Sequence, residues 1–584
     1  MLKTTFRRLF SLILTIFVLE SWVFPVFSGE PQGVPPLKVV YFTPSDCMPD
    51  SNRQERLGRV MCNIQEFYRK GMEVRGHGPK TFALEWDTPK KLRLYDVQGK
   101  SKLTDYPKGT EWIVYDEVRE ALKKKGIEID REFVLILGAW IDWDENVAKE
   151  YGPYSGGGNA YSGFAFACDD KLIDADLLSS KDSGGYHYMI PGGHCSLGMY
   201  NTLYVGGIAH ELGHAFGLPH DSQRDVDNDT LGISLMGNGN HYYGKALRGE
   251  GADAFLTASS ALRLSVCRAF DPDFESHPQQ PIQWTVENFG ASFQDGKLTL
   301  TGTGVSSVAP RGLIVYNDKE DGQGDYDAKT WVTVPDSTGK FRFEIDELEQ
   351  SLYEMRLVAV FPGGMAGGFN INYSNTTGTP TVESFYTALA NKEINERLDR
   401  QDWNKAAQLL EALIEKFPNN ETLAKKRKHL KTIKNPPAFF EPGKVPAKTK
   451  TIELTYAKAA EAKVGWYEPS RAILRECGFL SVGDSFYDSG IYAHPASLYA
   501  FSLDKKWKEF DFKYGIQDGK PGTVIFVVRA DGKEIFRSET VKKQEVHFKK
   551  LDVSGVNRLE LITEDAGDGW ANDWGLWLDP KLSR

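Results

Sequence analysis

Three histidines and one glutamate occupy a single short window of the chain. Residues 210–221 read HELGHAFGLPHD. On a helix, His210 and His214 lie one turn apart and project from the same face, so that two imidazole nitrogens can reach one metal ion. Glu211 lies beside them, placed to accept a proton from a water molecule that the metal activates. The spacing predicts the two helical ligands and the general base of a catalytic zinc site.

The residues that follow predict a third ligand. Gly217 tolerates a positive φ and allows a sharp turn at the helix end, and Pro219 prevents the helix from continuing. The chain then folds back and brings in His220. Three protein ligands leave one position open for water, as a catalytic zinc requires, whereas structural zinc sites are closed by four ligands. We predict one catalytic Zn²⁺; the alternatives are histidines with ordinary packing roles or a zinc site without activity.

The pattern HExxHxxGxxHD, together with the later Ser-Leu-Met-Gly at 234–237, resembles the metzincin zinc peptidases. The resemblance implies a secreted zinc metalloendopeptidase with Glu211 as the catalytic general base. It also implies that Met236 forms an apolar floor under the metal without binding it, and that Asp221 stabilises the base of the site. The alternative is a non-catalytic glycan-binding or adhesive protein in which the zinc is structural.

Two further segments of this region are candidates for contact with a substrate. Residues 161–168 read as a strand, which either pairs with an extended substrate at the edge of the sheet or lies in its interior. Residues 241–243 read His-Tyr-Tyr and either stabilise an oxyanion or pack normally. Their spacing from Met236 differs from the usual metzincin pattern, which favours packing.

Near the C-terminus, several short motifs occur in the order found in NPCBM carbohydrate-binding modules. They include SGIYAHPAS at 489–497, KYGIQDG at 513–519 and DAGDG at 565–569. The resemblance implies a β-sandwich of the galactose-binding kind that binds a glycan or glycoprotein, or docks on another protein. The candidate sugar contacts are His494, Asp518, Asp568 and Trp574. Alternatively, Trp574 belongs to the core and the Asp-Gly pairs form turns.

Hydrophobic periodicity divides the chain into several domains, as its length of 584 residues requires. The predicted divisions are a signal peptide at 1–28, an α/β (α+β) metzincin-like peptidase domain at 37–275, a β-sandwich at 281–375, a helical hairpin similar to a tetratricopeptide unit at 381–434, a linker at 435–450, and an NPCBM-like module at 451–584.

Composition limits the partners and the location. The formal net charge of -10 argues against nucleic acid as a partner, which leaves a protein or peptide substrate and a carbohydrate ligand.

Basic residues followed by the apolar stretch 9–18 predict a cleaved signal peptide and a secreted, periplasmic or cell-surface protein. An uncleaved anchor is the alternative, although the stretch is short for a membrane span. No later segment is predicted to cross a membrane.

One acidic segment is a candidate calcium site. Residues 225–229 read DVDND and offer the carboxylate oxygens that Ca²⁺ prefers. The segment lacks the full calcium-loop pattern, so a solvated loop is the alternative.

Overall fold

The structure is a computed structural model. It describes residues 30–144, 147–184, 187–188, 195–277, 282–320, 324–364, 366–483, 485–542 and 545–584. The predicted signal peptide, residues 1–28, lies outside the described residues. The chain divides into two compact units, residues 1–380 and 381–584. Among the described residues, every helix is too short or too polar to cross a membrane.

The first part of the first unit mixes helices and strands. Its elements are β1 (Lys38–Thr43), α1 (Arg53–Val74), β2 (Trp86–Thr88), β3 (Lys91–Leu92), β4 (Tyr95–Gln98), α2 (Glu111–Lys123), β5 (Phe133–Gly138), β6 (Ile141–Asp144), β7 (Val147–Glu150), β8 (Ser155–Gly158), β9 (Gly163–Cys168), β10 (His187–Tyr188), α3 (Leu197–Ala215), α4 (Asp225–Thr230), β11 (Ile233–Ser234), α5 (Lys245–Arg248), β12 (Ala254–Phe255) and α6 (Ala258–Leu264).

The main sheet of this part has the strand order β4-β1-β5-β9-β8. The first four strands are parallel to one another, and β8 runs antiparallel to β9. Every residue of β5 is buried, as expected for a central strand covered on both faces. In α1, the apolar residues Leu57, Val60, Met61 and Ile64 recur at helical spacing, and all four are buried in the same core as β5.

The edge strand is β8, not the segment 161–168 suggested as the candidate. After β8 the chain turns back within four residues, closed by a hydrogen bond from Asn159 N to Ser162 O of 3.0 Å. Strand β9 then enters the sheet between β5 and β8, so both of its backbone edges are already paired. The interior alternative is therefore correct for β9, and β8 offers the edge to which a substrate strand can pair.

The rest of the first unit is a β-sandwich. Its strands are β13 (Trp284–Gln294), β14 (Lys297–Ser306), β15 (Gly312–Lys319), β16 (Lys329–Thr333), β17 (Lys340–Ile345), β18 (Leu352–Val360) and β19 (Ala366–Ser374). One sheet has the order β13-β14-β17, the other β16-β15-β18-β19, and all pairings are antiparallel.

The sandwich packs against the first part of this unit through a buried apolar cluster. Leu262 and Val266 meet Ile314, Tyr316 and Val360 across this boundary. The two parts therefore share a core, and side chains of the sandwich lie close to the segment that follows α3.

The second unit begins with three helices, where a two-helix hairpin was predicted. They are α7 (Val382–Asp399), α8 (Trp403–Lys416) and α9 (Glu421–Lys434). A turn at Gln401, with φ of +57°, separates α7 from α8, and the Asp402 carboxylate caps α8 by accepting from Lys405 N at 3.2 Å. The segment predicted as a linker is partly packed, because Pro442 is buried and its carbonyl accepts from Trp507 Nε1.

The remainder of the second unit is a β-sandwich. Its strands are β20 (Thr451–Glu453), β21 (Glu461–Lys463), β22 (Ile473–Leu474), β23 (Gly478–Val482), β24 (Ser485–Tyr487), β25 (Gly490–Ala493), β26 (Ser497–Ser502), β27 (Glu509–Ile516), β28 (Val524–Ala530), β29 (Lys533–Arg537), β30 (His547–Asp552), β31 (Arg558–Asp565) and β32 (Gly575–Ser583). The sheets β20-β32-β27-β30 and β21-β26-β31-β28-β29 enclose an aromatic core. The expectation of a multidomain α/β chain that ends in a β-sandwich is confirmed.

Candidate metal centre

Helix α3 carries the first two histidines. The Ser196 hydroxyl caps it by accepting from Met199 N at 3.1 Å, and most of its length is buried. The helix ends next to Gly217, whose φ of +82° is in the left-handed region that glycine tolerates. Leu218 N then donates to Gly213 O at 3.0 Å, which turns the chain back over the last helical turn. This turn brings His220 towards the two helical histidines.

The three imidazole rings converge on one point. His214 Nε2 lies 3.2 Å from His210 Nε2 and 3.0 Å from His220 Nε2. All three ligand atoms lie within 4.8 Å of one another. Nitrogen ligands of a tetrahedral zinc, each about 2.05 Å from the metal, lie about 3.3 Å apart. The spacing of the ring nitrogens therefore fits one zinc ion.

Each ring is oriented by a hydrogen bond at its other nitrogen. His210 Nδ1 lies 2.7 Å from Leu235 O, and His214 Nδ1 lies 2.9 Å from Leu218 O. A carbonyl oxygen only accepts, so both Nδ1 atoms donate. Burial lowers the pKa of His210 to about 3 and also lowers that of His214, so these rings are neutral and their Nε2 lone pairs face one another. Converging lone pairs repel unless a cation lies between them.

Glu211 follows His210 on α3 and takes no part in the hydrogen bonds of the histidine rings. Burial raises the pKa of its carboxyl to about 7 in the absence of a metal. A dication bound beside it would oppose this shift by favouring the carboxylate. The side chain therefore provides, next to the first histidine on the helix, a carboxyl group that can accept and release a proton.

Met236 lies against α3, and Asp221 lies in a buried cluster of hydroxyl groups. A Cβ atom on Gly213 would lie 2.4 Å from Met236 Sδ, so the thioether lies directly against the helix between the two histidines. Asp221 is 1% exposed and accepts hydrogen bonds from four hydroxyl groups. These donors, at 2.5 to 2.9 Å, belong to Ser234, Thr257, Ser259 and Ser260.

Replacement of Asp221 by alanine is expected to lower the free energy of unfolding of the first unit by about 3 kcal/mol, because four buried hydroxyls lose their acceptor. Hydrogen exchange in increasing urea, read on peptides from residues 197–264, measures this loss. The exposed Asp229, replaced in the same way, is a control with an expected change within about 0.5 kcal/mol. A loss below about 1 kcal/mol for Asp221→Ala would show that the hydroxyl cluster does not depend on this carboxylate.

Two residues of the sandwich that the sequence did not indicate reach the site. Asp325 Oδ1 lies 2.8 Å from His220 Nδ1, and the Tyr326 ring stacks on the His220 ring with centroids 3.6 Å apart. Burial and the nearby Glu211 raise the pKa of the Tyr326 hydroxyl. Both residues belong to a short turn between β15 and β16, more than a hundred positions after His220. No local spacing signals such a contact.

Two glycines of the edge strand β8, Gly156 and Gly158, allow it to lie against α3. A Cβ on Gly156 would lie 2.3 Å from Glu211 O, and one on Gly158 would lie 2.1 Å from Ala215 O. Larger residues would push β8 off the helix.

Tyr243 is buried and donates to Asn63 Oδ1 at 2.7 Å, which agrees with the packing alternative for residues 241–243.

The structure places the candidate sugar contacts of the C-terminal module in different surroundings. His494 is buried and its Nδ1 lies 2.9 Å from Pro495 O, whereas Asp568 is exposed and accepts from Thr523 Oγ1. Asp518 lines a different cavity, of about 280 Å³, and its Oδ1 accepts from Gly483 N at 2.7 Å. Trp574 is 4% exposed, so its ring presents no open face to a sugar. The core alternative fits Trp574.

The candidate calcium segment forms the short helix α4. Asp225 lies 2.9 Å from Lys329 Nζ, and Asp227 lies 3.4 Å from Arg75 Nη2. Two of its carboxylates are thus already paired with cations of the chain.

Comparison with known proteins identifies the C-terminal part and the fold. Residues 450–583 match the family described as the NPCBM/NEW2 domain, so the chain ends in such a domain. Wild-type OgpA from Akkermansia muciniphila is 25% identical, with a TM-score of 0.50 over 61% of this chain and 97% of that chain. Catalytically inactive OgpA in complex with an O-glycopeptide substrate, glycodrosocin, is 24% identical, with a TM-score of 0.51 over 60% and 96%. No curated protein sequence matches the chain.

Proposed function

We propose that this protein is an exported zinc metalloendopeptidase of the metzincin type that cleaves O-glycosylated proteins or peptides. The observation that carries the proposal is the convergence of three histidine Nε2 atoms whose Nδ1 atoms are all engaged elsewhere. Such a set holds a cation and leaves part of its coordination open, in contrast to a closed structural site.

In this proposal, the three histidines bind the metal and Glu211 transfers the proton. His210, His214 and His220 would hold the zinc ion. Bound zinc supplies a Lewis acid that makes water acidic near neutral pH and stabilises negative charge on an oxygen. Glu211 accepts the proton from the attacking water at its carboxylate and returns it to the leaving amine nitrogen.

The substrate backbone has a place to bind in this scheme. Strand β8 is the edge of the main sheet and lies directly over the C-terminal half of α3. An extended peptide that pairs with β8 is held by main-chain hydrogen bonds above the histidines. This arrangement suits cleavage within a chain, because the peptide can extend along the edge in both directions.

Two independent features support a glycosylated substrate. The chain ends in an NPCBM/NEW2 domain, and the similar fold of OgpA has been observed with an O-glycopeptide. Export rests on residues 1–28, whose sequence is that of a cleaved signal peptide.

The function is tested with pairs of synthetic peptides of one sequence, with and without an O-linked sugar on a single serine or threonine. We expect purified protein to cleave the glycosylated partner at least about tenfold faster. We expect cleavage to stop with 1,10-phenanthroline and to return when zinc is added, measured by mass spectrometry of the products. Binding of the glycopeptide without cleavage would favour the alternative of a non-catalytic glycan-binding protein.

A further inference from the structure

A cavity of about 300 Å³ opens beside the metal centre. One wall is the edge strand β8, at residues 156–158, and His214 and the turn after α3 form the floor. The opposite wall comes from α6 and from strands β15 and β18 of the sandwich, through Arg263, Tyr316 and Arg356. The cavity therefore lies between the substrate-pairing edge and the sandwich, and it shares one histidine with the metal site.

Two guanidinium groups flank a single tyrosine ring in this wall. The Arg263 and Arg356 guanidinium carbons lie 5.4 Å and 5.0 Å from the centroid of Tyr316. Arg263 Nε also donates to the Tyr316 hydroxyl at 2.7 Å. Tyr316 is buried, so its ring is a fixed support for both cations.

The positive charge of this wall is only partly neutralised. Within the described part of the chain, Arg263 has no carboxylate in ion-pair range. Arg356 has one contact, 3.6 Å from Nη1 to Asp325 Oδ2, and the other oxygen of that carboxylate bonds His220. Burial and the neighbouring carboxylate of Asp327 raise the pKa of the nearby Asp318 to about 7, so Asp318 is only partly ionised near neutral pH.

One donor in the wall lacks an acceptor. Arg356 Nη2 is buried and has no hydrogen-bond partner among the described residues. A buried guanidinium N–H without an acceptor raises the free energy of the folded protein. A ligand oxygen that accepts its hydrogen bond removes this penalty and so favours binding. A guanidinium group binds a carboxylate with charge-assisted hydrogen bonds of planar geometry.

We propose that this cavity is a subsite for a carboxylate carried by the substrate within about three residues of the cleaved bond. The inference rests on the proposed peptidase function and adds its specificity. An extended peptide paired with β8 directs alternate side chains to the same side, and the cavity opens along that strand. The carboxylate comes either from an aspartate or glutamate side chain or from an acidic sugar on the peptide.

The test uses matched substrates that differ in one charge. In one arm, glutamate replaces glutamine at each of the three positions on either side of the cleaved bond. In the other arm, a carboxylate-bearing sugar replaces a neutral sugar on the same peptide. At 50 mM salt we expect kcat/KM to be about tenfold higher for the acidic partner in at least one arm, and the ratio to fall at 500 mM salt. The arm in which the preference occurs identifies the source of the carboxylate.

The variant Arg263→Gln is expected to reduce this ratio to nearly one while the neutral partner is cleaved within about threefold of the wild-type rate. Arg263→Lys retains the charge and is expected to keep part of the preference, which separates loss of charge from misfolding. Arg342→Gln is the matched control, since Arg342 lies on β17, outside the cavity, and pairs with Glu344. A full preference that persists in Arg263→Gln would overturn the inference.

The two proposals fail in different ways. Equal cleavage of acidic and neutral partners in both arms would overturn the carboxylate subsite and leave the peptidase function intact. Absence of cleavage of every peptide, with zinc bound, would contradict the peptidase function and the subsite together.

Discussion

Replacement of Glu211 by alanine is expected to reduce kcat/KM for glycopeptide cleavage by about 10³-fold or more, and to leave one zinc ion bound per chain. The reduction follows from the loss of the group that moves the proton in both halves of the reaction, a contribution of roughly 10² to 10⁴ for general acid–base catalysis. The metal is retained because the three nitrogen ligands belong to other residues and keep their contacts to Leu235, Leu218 and Asp325.

The measurement combines steady-state kinetics with zinc analysis of the purified variant. Glu211→Gln is the isosteric companion and is expected to lose a similar fraction of activity, because the amide cannot accept the proton. Glu128→Gln is the matched control, an exposed glutamate far along the chain from the histidines, with unchanged turnover expected. Turnover of either Glu211 variant within tenfold of wild type would exclude Glu211 as the base.

The local part of the metal centre follows from sequence because its geometry is encoded within one short segment. A helix fixes the relative directions of His210 and His214, and the left-handed conformation that Gly217 adopts is one that few other residues tolerate. These relations depend on backbone geometry alone, so a single sequence is enough to predict them.

Contacts between distant segments could not be predicted in this way. Asp325 reaches His220 across 105 positions, and only the packing of the sandwich on α6 brings the two together. The sequence left open whether residues 161–168 form the edge or the interior of the sheet for a similar reason. The pattern of hydrophobic residues identifies β9 as a strand. The pairing of β8 beside it, however, depends on the short turn between the two strands.

In the C-terminal module too, the sequence predicts the domain but not the surroundings of individual side chains. Its motifs predict the domain, which the match over residues 450–583 confirms. The motifs do not show which side chains face solvent. Trp574 is buried whereas Trp570 is 66% exposed, although the two lie four positions apart. The difference arises from the packing of the Trp574 ring near Tyr492 and Tyr467, which belong to other segments of the module.

Asp325 is expected to support the candidate metal site through its contact with His220. A carboxylate that accepts from the non-coordinating nitrogen of a histidine ligand fixes its tautomer and orientation and makes it a better ligand. His220 differs from the other two ligands, because its Nδ1 partner is a side chain of the sandwich. Asp325→Ala is therefore expected to weaken zinc binding about 10- to 100-fold.

Competition with a chromogenic zinc chelator measures this affinity without any dependence on turnover. In the same preparation, the increase in Tm at a fixed zinc concentration should be smaller for Asp325→Ala than for wild type, because the stabilisation depends on the ratio of free zinc to Kd. Asp325→Asn keeps an oxygen that accepts from His220 Nδ1 and removes only the charge, so its loss of affinity should be intermediate between wild type and Asp325→Ala.

Asp336→Asn is the matched control, since Asp336 lies in an exposed turn between β16 and β17 and an asparagine there can accept the same turn hydrogen bonds. Zinc affinity of Asp325→Ala within twofold of wild type would mean that His220 is held without the sandwich. Reduced affinity in Asp325→Ala, with Asp336→Asn unchanged, would make the sandwich part of the metal site, because its carboxylate then sets how tightly the third ligand binds.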